Sequence, residues 1–190
     1  APTQPVHVVL RTQASVGRLR QLDGYKVLHR ALTVVLTRAD FRVVHASIQH
    51  NHLHLVCEAA DRQALARGVQ IVASVFARLL NKRRGRRGKV FEHRYLTKVI
   101  TGPRQARTAI SYVLNNWRKH REDHANAVAR QAPIDPYSSG PSFDGWREHD
   151  RPLGLPARYQ PLPTSPPTVW LLTTGWRRYR LIGVGERPEV

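Results

Sequence analysis

Hydrophobic and polar residues alternate along the first two-thirds of the chain in two rhythms, one of period two and one of period three to four, and their order predicts a fold. Val6 to Thr12 (VHVVLRT) is compact and β-branched, which favours a strand. Leu22, Tyr25, Leu28, Leu32 and Val35 then recur at spacings of three and four, which puts them on one face of a helix reaching about Arg38. Phe41 to Ile48 (FRVVHASI) and Leu53 to Ala59 (LHLVCEA) read as two further strands, turned back on each other near Gln49, His50 and Asn51.

Asp61 is placed to cap a second helix, in which Leu65, Val69, Val72, Phe76 and Leu79 make a continuous apolar stripe. Lys82 to Lys89 (KRRGRRGK) holds six basic residues in eight and two glycines, so it is expected to stay unpacked. Arg94 to Ile100 reads as a fourth strand, and a third helix runs from about Pro103 to His120. The order strand, helix, strand, strand, helix, strand, helix is that of an α+β, ferredoxin-like sandwich, an antiparallel sheet with packed helices. From about Gln131 the periodicity disappears, and nine prolines fall between Pro133 and Pro167. Residues 1–130 are therefore expected to form the domain, and 131–190 an irregular, Pro-rich C-terminal extension. Its aromatic residues (Tyr137, Phe143, Trp146, Tyr159, Trp170, Trp176) suggest a segment docked on the domain or on DNA, with one short helix within Thr168 to Ile182.

Charge narrows the partner. Lys and Arg number 31 against 13 Asp and Glu, a net charge of +18 that suits a polyanion, with nucleic acid the first candidate. No apolar run approaches the ~18 residues of a spanning helix and no signal peptide opens the chain, so the expectation is a soluble, cytoplasmic protein with no membrane partner. Methionine is absent even at position 1, as expected of a processed or trimmed start. Cys57 is the one cysteine, which excludes an internal disulfide and a thiolate zinc cluster. A metal would have to use imidazole, carboxylate or amide groups.

Side chains alternate across a strand, so His52 and His54 project to one face while Leu53, Leu55 and Cys57 project to the other. Imidazoles about 7 Å apart at Cα can grip one ion; a pair of surface histidines beside a basic groove fits the same three residues. His50 would share the face if the strand began earlier. On the third helix Ala106, Ala109, Ile110, Val113, Leu114 and Trp117 form the sheet-facing stripe, with Thr108, Tyr112, Asn116 and Lys119 beside it. Tyr112 and Asn116, four apart, share one flank. Asn116 offers a carbonyl oxygen that suits a hard ion such as magnesium or manganese. Alone, Tyr112 reads equally well as a core tyrosine with a local partner.

Taken jointly, the strings IQHNHLHLVCEA (Ile48 to Ala59) and AISYVLNNWRKH (Ala109 to His120) resemble the REP-associated tyrosine transposases, relatives of the single-tyrosine insertion-sequence transposases within the HUH endonucleases. The resemblance covers about Pro5 to His120, and YSSGPSFDGWR (Tyr137 to Arg147) is similar to an extension in one group of that family. It implies a ferredoxin-like HUH fold. It implies Tyr112 as nucleophile and His52, His54 and Asn116 as ligands of a divalent magnesium or manganese ion, with asparagine at 116 where many insertion-sequence relatives have glutamine. It implies cleavage and rejoining of single-stranded DNA near short palindromic hairpins through a 5′-phosphotyrosine, by a bacterial, nucleoid-associated protein acting as a monomer rather than as a helix-exchanging dimer.

DNA contacts are expected from Lys82, Arg83, Arg84, Arg86, Arg87, Lys89, Arg94, Lys98 and Lys119, whose phosphate contacts would anchor rather than specify. The rival readings are a catalytically inert hairpin DNA- or RNA-binding protein of the same fold, and a metal-dependent hydrolase that forms no covalent adduct.

Overall fold

The computed structural model describes residues 4–148, 150, 154–155 and 158–188; Pro152 and Pro156 of the proline-rich run lie outside them. The main elements follow the predicted order: β1 (Val6–Arg11), α1 (Leu22–Val35), β2 (Phe41–Ile48), β3 (His52–Ala59), α2 (Arg62–Arg83), β4 (Leu96–Val99) and α3 (Pro103–Lys119). Asp61 caps α2 by accepting from the Ala64 amide at 2.7 Å. Gly102 and Pro103 open α3, proline needing no donor there. The fourth strand is shorter than its sequence pattern, and β1 stops one residue early, Thr12 forming an isolated bridge to Phe91 instead.

The four strands form one antiparallel sheet in the order β2-β3-β1-β4. One face packs against α1 and α2 through Val8, Leu10, Leu53, Leu55 and Cys57. Phe41 presses so closely on α2 that a Cβ at Gly68 would lie 2.2 Å from its ring. The other face is covered by α3. A bulge between Val43 and His45 explains how β2 serves both. Phe41, Val43, Ala46 and Ile48 pack on the α1/α2 face although strict alternation would not align them, while Val44 joins the α3 side.

The described part of the extension packs beside α3. Ile134, Trp146, Leu172, Trp176 and Ile182 are buried in one cluster with Ile110, Val113 and Leu114. Two buried carboxylates tie it down. Asp135 receives a two-pronged bond from the Arg20 guanidinium (2.6 and 3.0 Å), whose Nη1 also donates to the Ile48 carbonyl. Glu58, on β3, accepts from the amides of Thr168 and Val169 and from the Thr168 hydroxyl. A short α4 (Ala127–Gln131) precedes these anchors. The single helix expected within Thr168 to Ile182 is instead a turn of α-helix, α5 (Trp170–Thr173), followed by a 3-10 segment, Gly175–Tyr179. The ring of Trp170 lies against Gly175, and a Cβ there would approach it to 2.9 Å. No helix among the described residues is long and apolar enough to cross a membrane.

Candidate active site

β3 opens on His52, and strand alternation turns His52 and His54 toward α3 while Leu53 and Leu55 enter the opposite core. The apolar stripe of α3 lies down on the sheet. That leaves Tyr112, Asn116 and the capping His120, at intervals of four, on the flank beside the imidazoles. The Nε2 atoms of His52 and His54 stand 2.9 Å apart, and Nδ2 of Asn116 is 2.8 Å from Nε2 of His54. The ring of Tyr112 stands edge-on to that of His54, centroids 5.2 Å apart. Four residues singled out in sequence thus meet at one point. His50 does not join them: it lies exposed in the turn before β3.

Hydrogen bonding fixes the tautomers. Asn51 Oδ1 accepts from Nδ1 of His52 at 2.9 Å, so Nε2 of His52 carries a bare lone pair. The Asn116 amide donates to Nε2 of His54, which puts the His54 proton on Nδ1, where it is given to Nε2 of His7 at 3.0 Å. Two lone pairs therefore face each other across 2.9 Å, an arrangement that repels unless a cation lies between them. That spacing is close to the ~3 Å between neighbouring ligands on one ion with bonds near 2.1 Å. Asn116 Oδ1 is buried with no partner. Exchanging the amide's oxygen and nitrogen aims that oxygen at the same point and gives up the bond to Nε2 of His54, whose lone pair is then kept there by the Nδ1 bond to His7 alone. Among the described residues no group of three or more His, Cys, Asp or Glu side chains is set to hold a metal, so a third protein donor would be this amide. The donor set of two imidazoles and one amide oxygen fits a divalent cation.

Burial favours the neutral imidazoles that ligation needs. It lowers His7 and His52 to about 4, with the positive charges of Lys98 and His120 adding to the effect respectively, and holds His54 well below its ordinary range. Burial acts oppositely on Tyr112, raising its phenol, with the Asn116 amide working against the rise. Lys119 holds its ammonium 5.3 Å from the Tyr112 ring centre. A cavity of about 420 Å³ opens beside the tyrosine between the β1 and β4 strands and the first turns of α3, lined by His7, Lys98, Arg104 and Thr108.

Sequence reasoning missed His7 and His120. His7 pairs across the sheet with Val56 and Lys98, and its ring lies 5.1 Å from that of His54 and 5.8 Å from Tyr112. A lone polar position inside VHVVL was its one local signal. His120 lies 5.9 Å from the His52 ring, and its spacing of four from Asn116 marked it.

The basic residues divide. Lys98 and Lys119 flank Tyr112. Arg94 lines a different groove, shared with α2 on the other side of the sheet. The run from Lys82 to Lys89 is carried toward the His52 end of the sheet, because Phe91 bridges to Thr12 and the Glu92 amide donates to the carbonyl of Arg11, the residue opposite His52. Lys82, Arg83, Arg87 and Lys89 are exposed there. Arg84 corrects the expectation that the whole run stays unpacked. Its guanidinium bonds Asp23 at 2.6 Å and the carbonyls of Val16 and Arg18, because the end of α2 comes down on the start of α1. Arg86 bonds Asn81.

Comparisons with known proteins bear on this arrangement. A family model described as IS200-like transposase matches residues 3–116. No protein of curated function matches the sequence. Among solved structures, a REP-associated tyrosine transposase bound to a REP hairpin is 14% identical, with a TM-score of 0.52 over 63% of this chain and 70% of that one. A protein from Deinococcus radiodurans R1 assigned as a transposase is also 14% identical, with a TM-score of 0.42 over 65% of this chain and 92% of that one. The former shares the fold of the sheet and its packed helices.

Proposed function

The chain belongs to the IS200-like transposase family, and from that membership we propose that it cleaves and rejoins single-stranded DNA through Tyr112, using a divalent magnesium or manganese ion held by His52, His54 and Asn116. The observation that carries this reading is the pair of imidazole Nε2 atoms 2.9 Å apart beside Tyr112, with a buried, unpartnered oxygen on the Asn116 amide that meets His54. When bound, the ion would supply Lewis-acid polarisation of a non-bridging oxygen on the scissile phosphate.

The residues of the chain do the rest. His7 accepts from Nδ1 of His54 and so keeps the His54 lone pair on Nε2. Lys119, above the Tyr112 ring, favours the phenolate that burial alone disfavours. Lys98 and Arg104, lining the adjoining cavity, are placed to hold flanking phosphates. Tyr112 Oη forms a bond to phosphorus while the bond from phosphorus to the 3′ oxygen breaks. The phenol proton goes to solvent and the leaving 3′ oxygen gains one, giving a 5′-phosphotyrosine and a free 3′-hydroxyl. Reversal of the same step reseals the strand. The imidazoles and Tyr112 meet within one chain, which supports a monomer as the working unit. A short hairpin with a flanking single strand is the proposed substrate, a reading supported by the similar protein solved bound to a REP hairpin.

Incubation with end-labelled single-stranded DNA and manganese, followed by denaturing electrophoresis, tests the proposal. The wild type should give a covalent protein–DNA band that Tyr112→Phe lacks. Cleavage without an adduct would indicate a hydrolase, and binding without cleavage an inert binding protein.

A further inference from the structure

Away from Tyr112, a cavity of about 810 Å³ lies where α1, the end of α2 and the extension meet. Its aromatic wall is three tyrosines. Tyr25 and Tyr159 are tethered by their hydroxyls, which donate to the carbonyls of Gln160 and Pro136, so each ring is held rigidly. Tyr137 stands edge-on to Tyr25, with the Arg20 guanidinium 4.6 Å from its ring centre. Lys26, Arg30, Arg83 and Arg158 line the same cavity and are exposed, and no acidic residue does.

Those four cations differ from their neighbours. Arg84 and Arg20, close by in sequence, are committed to Asp23 and Asp135, whereas no carboxylate among the described residues pairs with any of the four around the cavity. Bringing unpaired positive charges together costs free energy by mutual repulsion, and a polyanion removes that cost. Rigid aromatic rings beside such charges suit an unpaired nucleobase, since every base offers a π-face for stacking and its flanking phosphates need cations.

The position suits the same ligand. The Tyr137 carbonyl accepts from the amide of Ile48, the last residue of β2, so the cavity lies at the end of the sheet where the chain turns into His52. The exposed Arg83 belongs to the basic run that reaches that end. We propose that this tyrosine-lined cavity is a second nucleic-acid subsite, which takes an unpaired base of the bound DNA strand and holds its neighbouring phosphates on Lys26, Arg30, Arg83 and Arg158. The inference rests on the single-stranded DNA reading given above. The unpaired base comes either from the strand flanking a hairpin or from the hairpin loop.

Two measurements test it. Fluorescence anisotropy over a range of salt would compare the wild type with a Lys26→Glu/Arg30→Glu double variant, whose fold is checked by its thermal transition. Affinity for a hairpin oligonucleotide with a single-stranded flank should fall about tenfold or more, and the salt slope by about 1.4, two single-strand phosphates. Oligonucleotides carrying one 5-iodouracil, placed in the flank or in the loop, would be photo-crosslinked to the wild type and the modified peptide identified. A crosslink at Tyr137 or Tyr159 is expected from one of the two placements, and it tells which source fills the cavity. Unchanged affinity and slope, with crosslinks confined to residues around Tyr112, would overturn the subsite while leaving the proposed reaction standing. Failure of the wild type to bind the oligonucleotide at all would instead overturn the reading on which both rest.

Discussion

Two buried polar clusters touch neighbouring residues of α3, and they are built in opposite ways. At Trp117 the Arg20 guanidinium is matched on every side: it bonds both oxygens of Asp135 and the Ile48 carbonyl, and lies over Tyr137. At Asn116 the matching fails, with two imidazole lone pairs opposed and an amide oxygen left bare. Buried polar groups in folded proteins are nearly always satisfied. The ion pair of Arg20 follows that rule and holds the extension, although Trp117 Nε1 beside it has no partner. The cluster at Asn116 departs from it at two facing imidazoles and an amide oxygen. Burial alone would not have separated the two clusters. The account of donors and acceptors does.

The contrast can be broken first at its satisfied side. Asp135→Ala leaves the buried Arg20 with only the more distant Glu122 carboxylate, 3.8 Å from its Nε, and should cost about 3–5 kcal/mol of unfolding free energy, measured by urea titration. If the loss were below about 1 kcal/mol, the two clusters would not differ as described. On the unsatisfied side the effect should reverse. His52→Leu, of similar volume, should keep or raise the thermal midpoint in metal-free buffer, because it removes an opposed lone pair and leaves only the partly exposed Asn51 without its partner. The same variant should lose metal-dependent adduct formation by more than the ~100-fold that an outer partner of a metal ligand is worth.

A smaller effect is expected at His7, which acts through His54. His7→Leu should weaken manganese binding, followed by calorimetry, about 10- to 100-fold, while His7→Gln, which keeps an acceptor, should recover part of the loss. Equal losses in both variants would remove His7 from the arrangement. Smallest is the pH effect at His45, an intermediate case, buried beside the extension with only a long 3.4 Å contact to Ser139. Burial lowers it to about 4. Below pH 6.5 the unfolded chain takes up this proton and the folded chain does not until near pH 4, so stability falls as pH drops through that window. His45→Gln should flatten the decline by at most about 1.4 kcal/mol per pH unit.

Much of this was legible in the sequence wherever the cause was local. Period and caps foretold the strands and helices, because Asp61, Pro103 and the apolar stripes act within a few residues of themselves. The shared face of His52 and His54 followed from strand alternation, and that of Tyr112 and Asn116 from the helical repeat. What stayed hidden depends on register between distant segments. His7 meets His54 only because β1 pairs with β3 at Val9 opposite His54. The bulge at Val44 sets which β2 side chains enter which core, yet FRVVHASI carries no turn residue to announce it. Arg84 was indistinguishable from its basic neighbours until Asp23 was brought against it.

Glu58 gives the fold a hereditary consequence. It sits on the same strand as the two histidines, and its buried carboxylate is satisfied by the backbone at Thr168 and Val169. A descendant that kept the extension but lost Glu58 would leave the Thr168 and Val169 amides and the Thr168 hydroxyl without their acceptor at a partly buried join, and would have to rebuild that join as well. An acidic residue at strand position 58 should therefore accompany the extension, so that among kindred chains an apolar residue at 58 would foretell a shortened or rebuilt C-terminus before any of its structure is known.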